Sequence, residues 1–160
     1  MNSADFVTRF SGIYEHSSWV AERAQAHLEP DCAPGDIARV MADCVDNASP
    51  DSQLALIRAH PDLAGKAQVA GDLTVDSETE QTSAGLDRCT PDEYEKFQTL
   101  NCQYKEKFGF PFIMAVRNSS RQQILTAFEQ RLQNDYDEEF ETALLEIHKI
   151  ARLRLEAMGL

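Results

Sequence analysis

The sequence has no apolar run long enough to cross a bilayer, and no cluster of lysine and arginine anywhere along its 160 residues. The first absence argues against a membrane-inserted protein. The second counts because 27 acidic residues face 15 basic ones, for a formal charge of -12. A field of that sign repels polyanions, so neither nucleic acid nor an anionic membrane surface is expected as a partner. The opening MNSADFVTRF lacks a basic region followed by an apolar stretch, and the closing Met158-Gly159-Leu160 is not a peroxisomal address of the Ser-Lys-Leu type, so a cytoplasmic location is expected. Cysteine is sparse and poorly spaced for metal: Cys32, Cys44, Cys89 and Cys102 include no Cys-x-x-Cys pair, and no histidine stands at zinc-ligand spacing from them. No metal is expected, and the thiols read as reduced, mostly buried small hydrophobes. Repeats, low-complexity tracts and linkers are also lacking, which leaves residues 1–160 as a single compact domain.

What is present is helical periodicity. The apolar fraction of 42% supplies core material, and 26% charged residues cover an ordinary globular surface. Pro34-Gly35-Asp36 opens a stripe of Ile37, Val40, Met41, Cys44 and Val45 at three- and four-residue spacing. Ser49-Pro50 starts a second helix, with serine as cap and proline at the first helical position. Thr90-Pro91-Asp92-Glu93 has capping-box spacing and precedes Phe97, Leu100, Tyr104 and Phe108, until Gly109 ends the pattern. Ser120 with Gln123 opens another helix, lined by Ile124, Phe128 and Leu132. A long final helix from about Asp137 carries Phe140, Ala143, Leu144, Ile147, Ile150 and Ala151 on one face. Helical turns are also expected at Phe6 to Tyr14 and Ser18 to about Leu28. The expected class is all-α, a single compact helical domain of about seven to nine helices. Two segments break the pattern: residues 61–76, read as a long irregular connection, and the apolar run 109–117, where Pro111 argues against a central strand.

Chemistry can reside at three places. His60 precedes Pro61, whose ring disfavours helical geometry at the residue before it, so the helix stops with the imidazole at its C-terminal edge. That end of the helix dipole favours the imidazolium, which suits a proton donor near neutral pH; equally, the ring can simply cap the last carbonyls. In Ser77-Glu78-Thr79-Glu80-Gln81, Ser77 and Glu80 have capping-box spacing, explicable as a helix start near Ser77 or as an anion site at a helix N-terminus, with Glu80 and Gln81 in reach of a ligand. Arg117 ends the run GFPFIMAVR. Its guanidinium can clasp a carboxylate or urea-like carbonyl, while the backbone of Phe112, Ile113, Met114, Ala115 and Val116 can pair with the edge of a flat heterocycle. An acidic neighbour would satisfy Arg117 as well.

In combination, HPDLAGKA, SETEQTSAGLD and the run from Phe97 through Leu100-Asn101 and Tyr104 to KFGFPFIMAVR resemble the 2-oxo-4-hydroxy-4-carboxy-5-ureidoimidazoline (OHCU) decarboxylase family of urate degradation. The motifs span residues 54–117. The resemblance implies an all-helical, cofactor-free lyase that forms (S)-allantoin and carbon dioxide, with homodimers common. It implies that His60 is the catalytic histidine and that Glu80 lies in the ligand-binding helix start; as a mechanism, His60 and Glu80 are expected as the catalytic pair that fixes the substrate's 4-hydroxyl, with His60 handling the proton at that carbon. Pro61, Ser77, Glu78, Thr79, Gln81 and the segment Phe112 to Arg117 are implied as substrate-binding. Some relatives carry a fused hydroxyisourate hydrolase, for which this chain is too short. Asn118 departs from the family, where glycine is common. The competing readings are a non-catalytic acidic helical domain that binds a basic partner, and a related lyase or hydrolase acting on another ureide.

Overall fold

The structure, a computed structural model, describes residues 2–29, 31–66 and 70–160. Those residues hold eight α-helices, one 3-10 turn and no strand, so the fold is all-α. Chain contacts divide it into two compact units, residues 1–60 with 147–160, and residues 61–146.

The first unit contains α1 (Ser3–Phe10), α2 (Trp19–Gln25), α3 (Pro34–Asp46), α4 (Pro50–Arg58) and the last turns of α8 (Tyr136–Ala157). The start signals are realised locally. The Ser49 hydroxyl accepts from the Ser52 N–H at 3.2 Å with Pro50 at the first helical position, and Ile37, Val40, Met41 and Val45 form the buried stripe of α3. The turn expected at Phe6 to Tyr14 begins earlier, because the Asn2 side chain caps α1 by accepting from Asp5 N–H at 2.9 Å.

The second unit holds α5 (Val75–Ser83), the 3-10 turn Leu86–Arg88, α6 (Pro91–Phe108), α7 (Arg121–Arg131) and the first turns of α8. Capping boxes form at Thr90 with Glu93 and at Ser120 with Gln123, whereas the one expected at Ser77 with Glu80 does not. Gly109 closes α6 in the left-handed region at φ 76°, where a side chain would be strained. Tyr104 lies edge-on to Phe110, Phe112 and Phe128 at centroid distances of 5.9, 5.4 and 5.8 Å, the centre of an aromatic core.

Two expectations need correction. The cysteines are free but not buried: Cys32, Cys44 and Cys89 are half-buried and Cys102 is exposed. Partial burial still pushes the Cys44 and Cys89 thiols up from their ordinary value. The irregular connection expected over 61–76 ends earlier, since α5 starts at Val75; residues 67–69 lie outside the described residues.

Candidate active site

His60 follows the C-cap of α4, Ala59, and is the last residue of the first unit's N-terminal stretch. Its Nδ1 lies 2.9 Å from the carbonyl oxygen of Leu56. A carbonyl can only accept, so Nδ1 carries the hydrogen and Nε2 holds the lone pair. The ring is only 9% exposed. Loss of solvation lowers its pKa to about 4, against the opposing pull of the Leu56 bond and the Glu15 carboxylate and with a further push from Arg154 and His16. The imidazole is therefore neutral near pH 7. The dipole argument for an imidazolium fails because desolvation outweighs it. Capping and a chemically available Nε2 coexist, on opposite nitrogens of one ring.

The charges around His60 in this unit are themselves buried. Arg154 donates to Glu15 Oε2 at 2.9 Å, with the two side chains 3% and 2% exposed, and reaches the carbonyl oxygens of Gly12 and Ile13 at 3.3 and 3.4 Å. Sequence reading took α8 as an apolar stripe and so overlooked Arg154, which belongs to its inward face.

In the second unit, α5 begins one turn before the expected start. Thr74 is the cap, accepting from Ser77 N–H at 3.3 Å, so Ser77 lies in the first turn and does not itself open the helix. Ser77 and Gln81, four residues apart, share the buried face, and Glu80 sits at its edge. Glu78 and Thr79 are exposed, rotated away from that face by the helical register. The structure thus brings Ser77, Glu80 and Gln81 to one side and separates Glu78 and Thr79 from them.

Gln81 is heavily used by the protein itself. Its Oε1 accepts from Ala64 N–H at 3.0 Å and its Nε2 donates to Asp62 carbonyl at 3.1 Å. The same loop, which begins at Pro61, receives Gln98 Nε2 on Ala64 carbonyl at 2.7 Å, Asn101 Nδ2 on Leu63 carbonyl at 2.9 Å, and Lys105 on the Asp62 carboxylate at 2.7 Å. These bonds hold Ala64 at φ 49°, in the left-handed region that alanine normally avoids. Gln98 and Lys105 are not singled out by the sequence, and Asn101 enters there only as part of the motif, without a role. The available signal was their place on α6, just beside its apolar positions Phe97, Leu100 and Tyr104.

Residues 111–116 are neither helix nor strand, as expected. Phe112, Ile113 and Val116 are buried, while Met114, Ala115 and Arg117 are half-buried. The buried side chains serve the core: Phe112 stacks on Phe128 with centroids 3.9 Å apart. What this run can offer a ligand is main chain and Arg117. Ser119 N–H donates to Val116 carbonyl at 2.9 Å, and Asn118 between them adopts φ 66°. That backbone explains why glycine suits this position and why asparagine, which tolerates it better than other side-chain-bearing residues, can replace it.

Solved structures share this architecture. An (S)-allantoin synthase matches with a TM-score of 0.75 and 34% identity over 98% of this chain, which spans half of that structure's length. An OHCU decarboxylase crystallised in the presence of (S)-allantoin matches in fold with a TM-score of 0.74, at 22% identity, over 92% of this chain and 95% of that one. The class is therefore an all-helical fold shared with those proteins. The OHCU decarboxylase family profile matches residues 1–156, and the chain belongs to that family. Among its relatives, a 2-oxo-4-hydroxy-4-carboxy-5-ureidoimidazoline decarboxylase of Halalkalicoccus jeotgali is 45% identical over 99% of this chain and 89% of its own length. The mouse enzyme of the same name is 36% identical over 97% and 86%. A uric acid degradation bifunctional protein of a Bacillus strain is 42% identical over 98% of this chain, which spans 30% of it.

Proposed function

We propose that the chain decarboxylates 2-oxo-4-hydroxy-4-carboxy-5-ureidoimidazoline to allantoin in urate degradation, as a cofactor-independent carboxy-lyase of the cytoplasm that works as a homodimer and yields the (S) enantiomer. The observation that carries this reading is the 45% identity to a decarboxylase of that name over nearly the whole chain.

The substrate's own ring makes the reaction possible without a helper group. When the bond from the 4-carbon to its carboxylate breaks, the electron pair passes into the adjacent C=N unit, whose nitrogen takes up a proton from solvent. The 4-hydroxyl then gives up its proton as it becomes a carbonyl, and a proton is delivered to the ureido-bearing carbon, the stereocentre of allantoin. The protein has to orient the ring, accept one proton and deliver another on one face. His60, neutral with its lone pair on Nε2, suits the acceptor of the 4-hydroxyl proton. By the family resemblance, Glu80 is assigned to the 4-hydroxyl as well. Arg117 takes the carboxylate or ureido carbonyl, and the main chain of 112–116 takes the amide edge. Pro61, Ser77 and Gln81 shape the site, Gln81 by fastening the Pro61 loop. Glu78 and Thr79, turned outward on α5, have no part in this scheme.

Because the uncatalysed reaction gives racemic allantoin, the test is optical. Freshly generated substrate is supplied and circular dichroism followed. The wild type must develop the signal of one enantiomer faster than the background reaction, and His60→Ala must lose that advantage. A wild type that leaves the product racemic would sink the reading in favour of a non-catalytic domain.

A further inference from the structure

The 112–117 segment is clamped from behind at two successive peptides. Arg131 of α7 donates through Nη1 to the carbonyl oxygen of Ile113 and through Nε to Glu139 Oε1 at 2.9 Å, and its guanidinium lies over the Phe112 ring, 4.4 Å from the centroid. Glu139 is fully buried and is held in turn by Tyr104 Oη at 2.5 Å and Asn134 Nδ2 at 3.0 Å. Two turns along the same face of α8, Glu146 Oε1 accepts from Ala115 N–H at 3.3 Å.

These two anchors have a geometric consequence. A planar trans peptide points its carbonyl and the following N–H in opposite directions, and the described residues contain no cis peptide. With Ile113 carbonyl turned to Arg131, the N–H of Met114 points away from Arg131. With Ala115 N–H turned to Glu146, the carbonyl of Met114 points away from Glu146. Both polar groups of Met114 are thus aimed away from the helices that support the segment, at a residue that is half-buried between buried Ile113 and half-buried Ala115. A donor and an acceptor on one residue match the acceptor and donor of an amide N–H and carbonyl, the edge that a ureido group or a ring lactam presents.

We propose that Arg131, oriented by Glu139, and Glu146 are positioning residues of this enzyme, clamping the peptides on either side of Met114 so that its N–H and carbonyl form a fixed recognition pair for the substrate's amide edge. The inference rests on the function proposed above. It distinguishes α7 and α8 as parts of substrate recognition, although neither carries a residue that touches the substrate in this scheme.

The test is steady-state kinetics on freshly generated substrate, with thermal melting to establish the folded fraction, for Arg131→Lys, Arg131→Met, Glu146→Leu and Glu146→Gln. The expected result is a KM raised about tenfold or more in Arg131→Met and Glu146→Leu, with a smaller change in kcat. Glu146→Gln, which keeps an acceptor for Ala115 N–H, recovers most of the loss. Arg131→Lys cannot hold Glu139, the Ile113 carbonyl and the Phe112 ring together, so it should fall between. It also serves if Arg131→Met does not fold. A merely structural role would lower the melting temperature and leave KM per folded molecule at the wild-type value, and that result in Arg131→Lys and Glu146→Leu overturns the proposal. A wild type without turnover overturns the function itself, whereas an active wild type with indifferent variants overturns only the positioning role.

Discussion

His60 and Leu56 are joined through Nδ1 and a backbone carbonyl at 2.9 Å, and that one bond fixes both the tautomer and the direction of the reactive nitrogen. The helix end that Pro61 enforces puts the ring where it can cap Leu56, and the cap turns Nε2 into the free position. Burial then keeps the ring uncharged.

The pH dependence follows from that burial. In the unfolded chain His60 takes up a proton as pH falls through about 6.5, but the folded ring does so only near 4. Between those values the unfolded state binds more protons, so stability contributed by neutral His60 is complete above about 6.5 and is lost as pH drops toward 4. The full loss is roughly 3 kcal/mol. Urea unfolding at pH 7 and pH 5 should show a smaller drop for His60→Gln than for the wild type, and the His60 ring resonances should stay constant from pH 8 to 5. A ring titrating near 6.5 would refute the assigned neutral state.

Gln81 gives a second prediction. Replacing it with alanine strands the Ala64 N–H and the Asp62 carbonyl that its two ends hold, each at a cost of about 1–3 kcal/mol if left buried and unpaired. Gln81→Glu keeps an acceptor for Ala64 but sets a carboxylate against the Asp62 carbonyl, so its penalty should be larger at pH 8 than at pH 5. Denaturant unfolding of both variants checks this, and a Gln81→Ala protein within about 0.5 kcal/mol of wild type would be incompatible with the loop arrangement.

Helix starts were readable in the sequence wherever a cap and an apolar stripe coincided, as at Ser49, Thr90 and Ser120. The start of α5 was misplaced because Ser77 and Glu80 match a capping box while Thr74 and Ser77 match a cap with equal spacing, and α5 has little apolar periodicity to break the tie. The proposed site residues stand in the sequence as residue types in order, His60, Glu80 and the run to Arg117. Their supports were not legible there. Arg131, Glu139 and Arg154 are charged residues with buried partners, and in a chain this acidic a lone sequence offers no way to tell a buried carboxylate from a solvated one. The pairing partners are 8 and 139 positions apart, so only the folded chain joins them.

The adjacent residues Ala64 and Gly65 should respond unequally to exchange. Ala64 occupies the left-handed region at φ 49°, a strain of about 1–2 kcal/mol that Ala64→Gly removes, offset by greater freedom in the unfolded chain and a lost methyl contact. Its stability should stay within about 1 kcal/mol of wild type. In Gly65→Ala the new Cβ would meet Asp62 Cβ at 2.7 Å, well inside van der Waals contact, so the loop has to move. Melting of the two variants should show the larger loss at position 65.

The buried pair of Glu15 and Arg154 should couple to His60 with a sign that depends on which partner is removed. Glu15 favours the imidazolium and Arg154 opposes it, so the two act on the ring in opposite directions. Arg154→Met leaves the Glu15 carboxylate buried without its guanidinium, which costs about 3–5 kcal/mol and raises the pH at which His60 takes up its proton. Glu15→Gln leaves the opposite charge and lowers that pH further. Removing both should recover part of the stability lost in either single variant, because no lone charge remains buried. Ring titration followed by NMR, together with urea unfolding of the two single variants and the double, measures both effects. Shifts of the same sign in the two single variants would show that the pair does not set the field at His60.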